Sequence, residues 1–156
     1  SRPTAAPSPN SRTTEAMRIT LSDAARQHIA RFESETGATA RDCLLFEDRV
    51  VILVAAGEMG TAIGPGGAHV RAVEDAVGRR VDLVEDAGTP EAFVESALAP
   101  AAVRHVTLSE QGGDRVAYVE VPEGDRGVAV GTDGQSIETA RRLADRHHDI
   151  DDIQLT

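Results

Sequence analysis

Between Ser22 and Thr36, Ala25, Ile29 and Phe32 fall on one side of a helix that Ser22 can cap and Gly37 can stop. Asp42–Phe46 and Arg49–Ala55 read as two strands joined by a turn at Glu47-Asp48. A short helix is expected over Glu58–Ile63. After the glycines of 64–67 a longer one carries Val70, Val73 and Val77 on one face and stops at Gly78. Arg80–Glu85 is a third strand. The same order then returns. Thr89 caps a helix with Pro90 at its first position and Phe93, Val94 and Leu98 on its apolar side, ended by Pro100. Val103–Ser109 and Arg115–Val121 form a hairpin around Gly112-Gly113, and Asp125–Val130 is a short helix. A helix lined by Ile137, Ala140, Leu143 and Ala144 and a strand over Ile150–Leu155 complete the pattern.

A shift of 67 residues superposes the two halves: Gly57 on Gly124, Gly60 on Gly127, Ala62 on Ala129, Gly64 on Gly131, Gly67 on Gly134, Ile63 on Val130 and Val70 on Ile137. A repeat of this length with matched elements implies two copies of one small domain. Each copy reads α-β-β-α-α-β, an α+β unit with a three-stranded sheet packed against helices. The link Asp86–Thr89 is too short to act as a free tether. Residues 1–16 lack apolar periodicity, are rich in Ser, Thr, Pro and Ala, and read as a disordered extension. The expected limits are 17–87 and 88–156.

Each copy places an apolar residue, Gly-x-x-Gly and a helix in succession. Such a loop lets a backbone approach a phosphodiester and exposes N–H groups at the helix start. Neither loop is followed by Lys-Ser or Lys-Thr, which disfavours P-loop chemistry. The unit is not β-α-β, which disfavours a dinucleotide fold. A Gly-x-x-Gly loop between two helices is the arrangement of a KH domain, which clamps about four nucleotides of a single strand.

Composition narrows this further. The 156 residues hold 26 acids against 16 basic residues, all Arg, for a net charge of −10. Absent Lys with abundant Ala, Gly, Val and acid fits a protein of a salt-saturated cytoplasm. There the Debye length falls to about 3 Å, so the charge says little about partners. Aromatics are only Phe32, Phe46, Phe93 and Tyr118, which argues against folds that stack bases on rings. Cys43 is the sole cysteine, so no internal disulfide forms and a cytoplasmic location is expected. No apolar run is long enough to span a bilayer.

The stretch from Met17 to Thr156 resembles the archaeal NusA-like transcription termination/antitermination factors, which are tandem type II KH pairs. The matching segments are "MRITLS" at Met17, "CLLFEDRVVILV" at Cys43, "GEMGTAIGPGGAHVRAVEDAVGRRVDLVE" at Gly57, "FVESALAPAAV" at Phe93 and "DRGVAVGTDGQSIETARRLADRH" at Asp125. The resemblance implies single-stranded RNA, a nascent transcript, as ligand. It implies RNA polymerase as a partner, and it implies no small-molecule substrate and no cofactor.

The expected RNA-contacting residues are Ile63, Gly64, Pro65, Gly66, Gly67, Val70 and Arg71 in the first copy. In the second they are Val130, Gly131, Thr132, Asp133, Gly134, Ile137 and Arg141. Two departures weaken the second loop. Family loops usually carry Lys or Arg in the middle, whereas the middles here are Pro65-Gly66 and Thr132-Asp133, and Asp133 would face the phosphate. Residues 17–88 carry 8 Arg and 12 acids, residues 89–156 carry 6 Arg and 13 acids, so the first copy is the better RNA candidate. Arg79 and Arg80 lie near its loop helix; Arg126, Arg142 and Arg146 are the second copy's counterparts.

Other readings compete. The loops can be structural turns in a KH module that binds only protein. The Arg residues can be solvated or paired with Glu74, Asp75 and Glu138. His147, His148, Asp149, Asp151 and Asp152 have metal-ligand chemistry, but adjacent histidines point apart on a helix. Cys43 reads as a small core residue. No arrangement of His, Ser and carboxylate suggests a catalytic set.

Overall fold

The computed structural model describes residues 21–156. The expectations for residues 1–16 and for a start at Met17 lie outside the described residues. Helix α1 (Asp23–Thr36) begins where the Ser22 hydroxyl accepts the Ala25 N–H and ends at Gly37. β1 (Ala40–Leu45) and β2 (Arg49–Val54) pair antiparallel. Helix α2 (Met59–Ile63), a 3-10 turn at Pro65–Gly67 and helix α3 (Ala68–Val77) lead to β3 (Arg80–Glu85), which pairs parallel to β2.

The second half repeats this. Helix α4 (Pro90–Ala97), capped by Thr89, precedes β4 (His105–Gln111) and β5 (Asp114–Glu120), an antiparallel pair. Helix α5 (Arg126–Val130), a 3-10 turn at Thr132–Gly134 and helix α6 (Gln135–His148) lead to β6 (Asp152–Leu155), parallel to β5. The sheet orders are β1-β2-β3 and β4-β5-β6, so β3 and β6 are edge strands beside their loops.

Element ends differ from the sequence reading for identifiable reasons. β1 starts at Ala40, two residues before Asp42, because Ala40 pairs with Val54 across a register shift and the Thr39 carbonyl accepts the Ala55 N–H. The polar pair Arg41-Asp42 hides that start. α4 ends at Ala97, before Pro100. β4 begins at His105 rather than Val103. Ile150 is fully buried, and its N–H closes α6 on the Ala144 carbonyl, so β6 waits until Asp152.

The first sheet buries both faces. Cys43, Val50, Ile52, Val54 and Val81 pack with Ala25, Phe32 and Val73 of its own helices. From the other face Leu44, Val51, Leu53 and Val84 join Phe93, Val94, Leu98, Leu143 and Ala144 of the second half in one cluster. Each fully buried Val, Leu, Ile or Phe among them contributes about 1.5–3 kcal/mol. The halves thus share a core.

Candidate nucleic-acid interface

The two loops are built alike. In the first, the Gly64 N–H donates to the Gly60 carbonyl at 2.9 Å and the Gly67 N–H to the Gly64 carbonyl at 3.0 Å. In the second, Gly131 donates to Gly127 at 2.9 Å and Gly134 to Gly131 at 3.1 Å. A Cβ on Gly64 would run into the His69 ring, and a Cβ on Gly131 into Ser136, the residue 67 positions on from His69. Each loop therefore has room for the first turn of its own loop helix only because glycine stands there.

The loop middles share a conformation but not a charge. Gly66 has φ 60° and ψ 20°; Asp133 has φ 54° and ψ 27°. Asp tolerates this left-handed region better than most residues. Arg71, one turn into α3, donates to the Gly66 carbonyl at 2.7 Å, so a cation stands at the first loop. The residue in register with Arg71 is Glu138, in the first turn of α6. Helix α3 has no acid in its first turn. A helix start with free N–H groups attracts anions, and acids beside it compete for that role. The first loop carries a cation, whereas the second carries two carboxylates. The sequence shows Asp133 at the loop and names Glu138 only as a partner for an arginine, whereas the 67-residue shift sets Glu138 where the first copy has Arg71.

Around the loops lies apolar surface. Among the described residues the exposed large apolar side chains are Leu45, Ile63, Val128 and Val130. Three of these sit on the short helices before the loops, and Ile63 is 40% exposed. Val70 is half-buried beside Ile63. Its counterpart Ile137 is buried in the shared core, so the second loop has less groove beside it.

The structure also places the other arginines. Arg141 turns from the loop to β6, donating twice to the Ile153 carbonyl and pairing with Asp152 at 3.0 Å. Arg126 donates to the Thr156 carbonyl and Arg79 to the Phe46 carbonyl. Arg142 and Arg49 both lie over the Phe46 ring. Arg146 forms a bidentate pair with Asp42 of β1 at 2.7 and 2.9 Å.

Asp42 is the buried anchor of the contact between the halves. It also meets His147 Nε2 at 2.7 Å and accepts the Cys43 N–H. Burial alone would raise its pKa, but the bonds from His147 and Arg146 and the Arg146 charge hold it at about 2. The neighbouring Cys43 thiol is pushed up to about 12 by burial and the Asp42 charge, so it stays protonated and inert. Of the residues with metal-ligand chemistry, His147 is committed to Asp42, Asp151 to the Arg115 N–H and Asp152 to Arg141.

Between the halves runs an open cleft of about 600 Å³. One wall is first-half surface: Ile63, Val70 and the edge strand β3. The other carries Thr132, Gln135, Ser136 and Thr139 of the second loop and its helix. The groove of the first loop thus leads onto the second loop.

Comparison with known proteins agrees with this architecture. Residues 25–88 match the KH domain family, and residues 90–156 match the NusA-like second KH domain family. A Halobacterium salinarum protein named "Probable transcription termination protein NusA" is 63% identical over 90% of this chain and 100% of its own length. A Halococcus morrhuae protein of the same name is 60% identical over 89% of this chain and 99% of its own. The crystal structure of APE1850 aligns with a TM-score of 0.78 and 27% identity, covering 87% of this chain and all of that one.

Proposed function

Since the chain belongs to the NusA-like family of tandem KH proteins, we propose that it binds single-stranded RNA, a nascent transcript, in transcription termination or antitermination. On this reading the KH domains run over 17–87 and 88–156, and RNA polymerase, which the family resemblance implies, is the protein partner. The first loop is the main clamp. The observation that carries this is the coincidence of Arg71 on the Gly66 carbonyl, an acid-free start of α3 and the exposed Ile63 beside them. Phosphates meet Arg71 and approach the glycine backbone of the loop closely, while sugars and bases lie on Ile63 and Val70. Asp133 and Glu138 make the second loop the weaker phosphate site.

The test places carboxylates in the first loop. Replacing Pro65 and Gly66 with Asp sets two acids against the phosphates. Asp133 already occupies the equivalent backbone conformation and a Cβ at Gly66 meets open space, but the left-handed φ of Gly66 strains any side chain, so circular dichroism verifies the fold of the variant. The expected result in molar KCl is at least a tenfold loss of affinity for single-stranded RNA, with each charged contact contributing roughly 1.5–3 kcal/mol. Thr132→Asp, the matched change in the second loop, costs less. A folded first-loop variant that binds like the parent would favour the competing reading, a KH module that contacts only protein.

A further inference from the structure

The cleft between the two loops contains one arginine, and its surroundings set it apart from the others. Arg80 begins β3, is about half exposed and lines the cleft opposite Gln135. Its NH2 group is held from two sides, by Asp82 Oδ2 at 3.1 Å and by Gln135 Oε1 at 2.9 Å. Gln135 is itself fixed from the other half, because its Nε2 donates to Asp48 Oδ2 at 2.9 Å. A side-chain amide of the second domain thus orients a guanidinium of the first. Arg141 and Arg146 turn two donors each to the Ile153 carbonyl and to Asp42, and Arg79 and Arg126 each give one donor to a backbone carbonyl outside the cleft. Arg80 is the arginine that lines the cleft, and among the described residues its Nε and NH1 donors have no protein acceptor.

The cleft volume falls within the roughly 300–1,000 Å³ of pockets that hold small organic groups, so a nucleotide fits. A strand leaving the first loop along Ile63 and Val70 must cross this space to reach Thr132. The geometry points to Arg80 as a third RNA contact, which binds the phosphate of the nucleotide linking the two loops. This rests on the RNA-binding reading above. A phosphate rather than a base edge is the partner, because Asp82 and Gln135 already occupy one amino group of the fork. A held cation with donors to spare suits a tetrahedral anion from several approach directions.

Two oligouridylates separate the contributions. One is about four nucleotides long, the span of a single loop, and one is about ten, enough for both loops and the link. Affinities of the full chain, R80Q and R80K are measured for both in molar KCl, with circular dichroism to verify folding. Arg80 strands no buried charge when removed, so R80Q should fold. The expected result is a roughly tenfold loss for R80Q on the longer oligomer, no change on the shorter one, and partial retention by R80K. The same loss must appear with a guanine at the centre. Equal losses on both oligomers, or a loss seen only with the central guanine, would overturn the assignment. So would a parent that gains affinity with length while R80Q gains as much. A parent that binds neither oligomer removes the RNA reading itself, and this inference with it.

Discussion

Asp42 shows how one carboxylate ties the halves together and makes that tie pH-dependent. Its folded pKa of about 2 lies below the ordinary value of 3.8. The stabilisation is therefore complete above pH 3.8 and fades as pH falls towards 2, with about 2 kcal/mol at stake. Asp42→Asn should lower stability at neutral pH by roughly 3 kcal/mol, because Arg146 and His147 lose their charged partner. The difference from the parent should shrink as pH is lowered to 2, which thermal melts in molar KCl across that range would measure. A constant difference would show that the charge is not what matters. This anchor was illegible in the sequence. Asp42 reads as the polar start of a strand, and its partners stand more than a hundred positions away with nothing local to announce them. The glycine positions were legible because they answer to backbone geometry alone, which repeats every 67 residues whatever the charges do.

At the scale of elements, the contact between β2 and α6 decides where the second loop sits. Arg49 is 2% exposed at the start of β2. It donates to the Gln135 carbonyl at 3.3 Å and to the Thr139 hydroxyl at 2.9 Å, pairs with Asp48 and Asp82, and lies 3.9 Å above the Phe46 ring. One guanidinium therefore holds the first turn of the helix that follows Gly134. Arg49→Met should cost about 3 kcal/mol by breaking a buried charge network, lowering the melting midpoint by roughly 6–12 °C. It should also weaken RNA binding to oligomers long enough for both loops more than to short ones. A melt unchanged from the parent would mean that the shared apolar cluster alone sets the docking. Periodicity located β2 and α6 correctly, yet it counted Arg49 as an ordinary strand end. An apolar-polar pattern records which side of an element is buried, not which distant helix buries it.

The whole molecule carries 26 acids and 16 arginines. Many arginines are spent on internal partners, whereas Asp133, Glu138 and most other acids face solvent. Self-repulsion is screened over about 3 Å in molar salt and reaches about 30 Å near 0.01 M. Transfer from molar KCl to dilute buffer should lower the thermal midpoint by several degrees, followed by circular dichroism. Equal midpoints would leave the complete absence of Lys without a physical account. The same screening explains why a net negative chain is a reasonable RNA binder. At high salt counterion release drives little association, so on the proposed reading the affinity rests on short-range contacts at Gly64–Gly67 and Ile63.

The shared core has a consequence for how the protein is made. The amino-terminal half leaves the ribosome with Leu44, Val51, Leu53 and Val84 bare, and their cover is encoded further along the message, from Phe93 to Ala144. At roughly 5–20 residues per second, the newborn sheet stays half-dressed for several seconds. A fragment ending at Ala87 should accordingly self-associate in molar KCl, seen as early elution on size exclusion, where the full chain does not. Translation speed across the second half then sets the time during which each new copy is vulnerable to its neighbours on the same polysome.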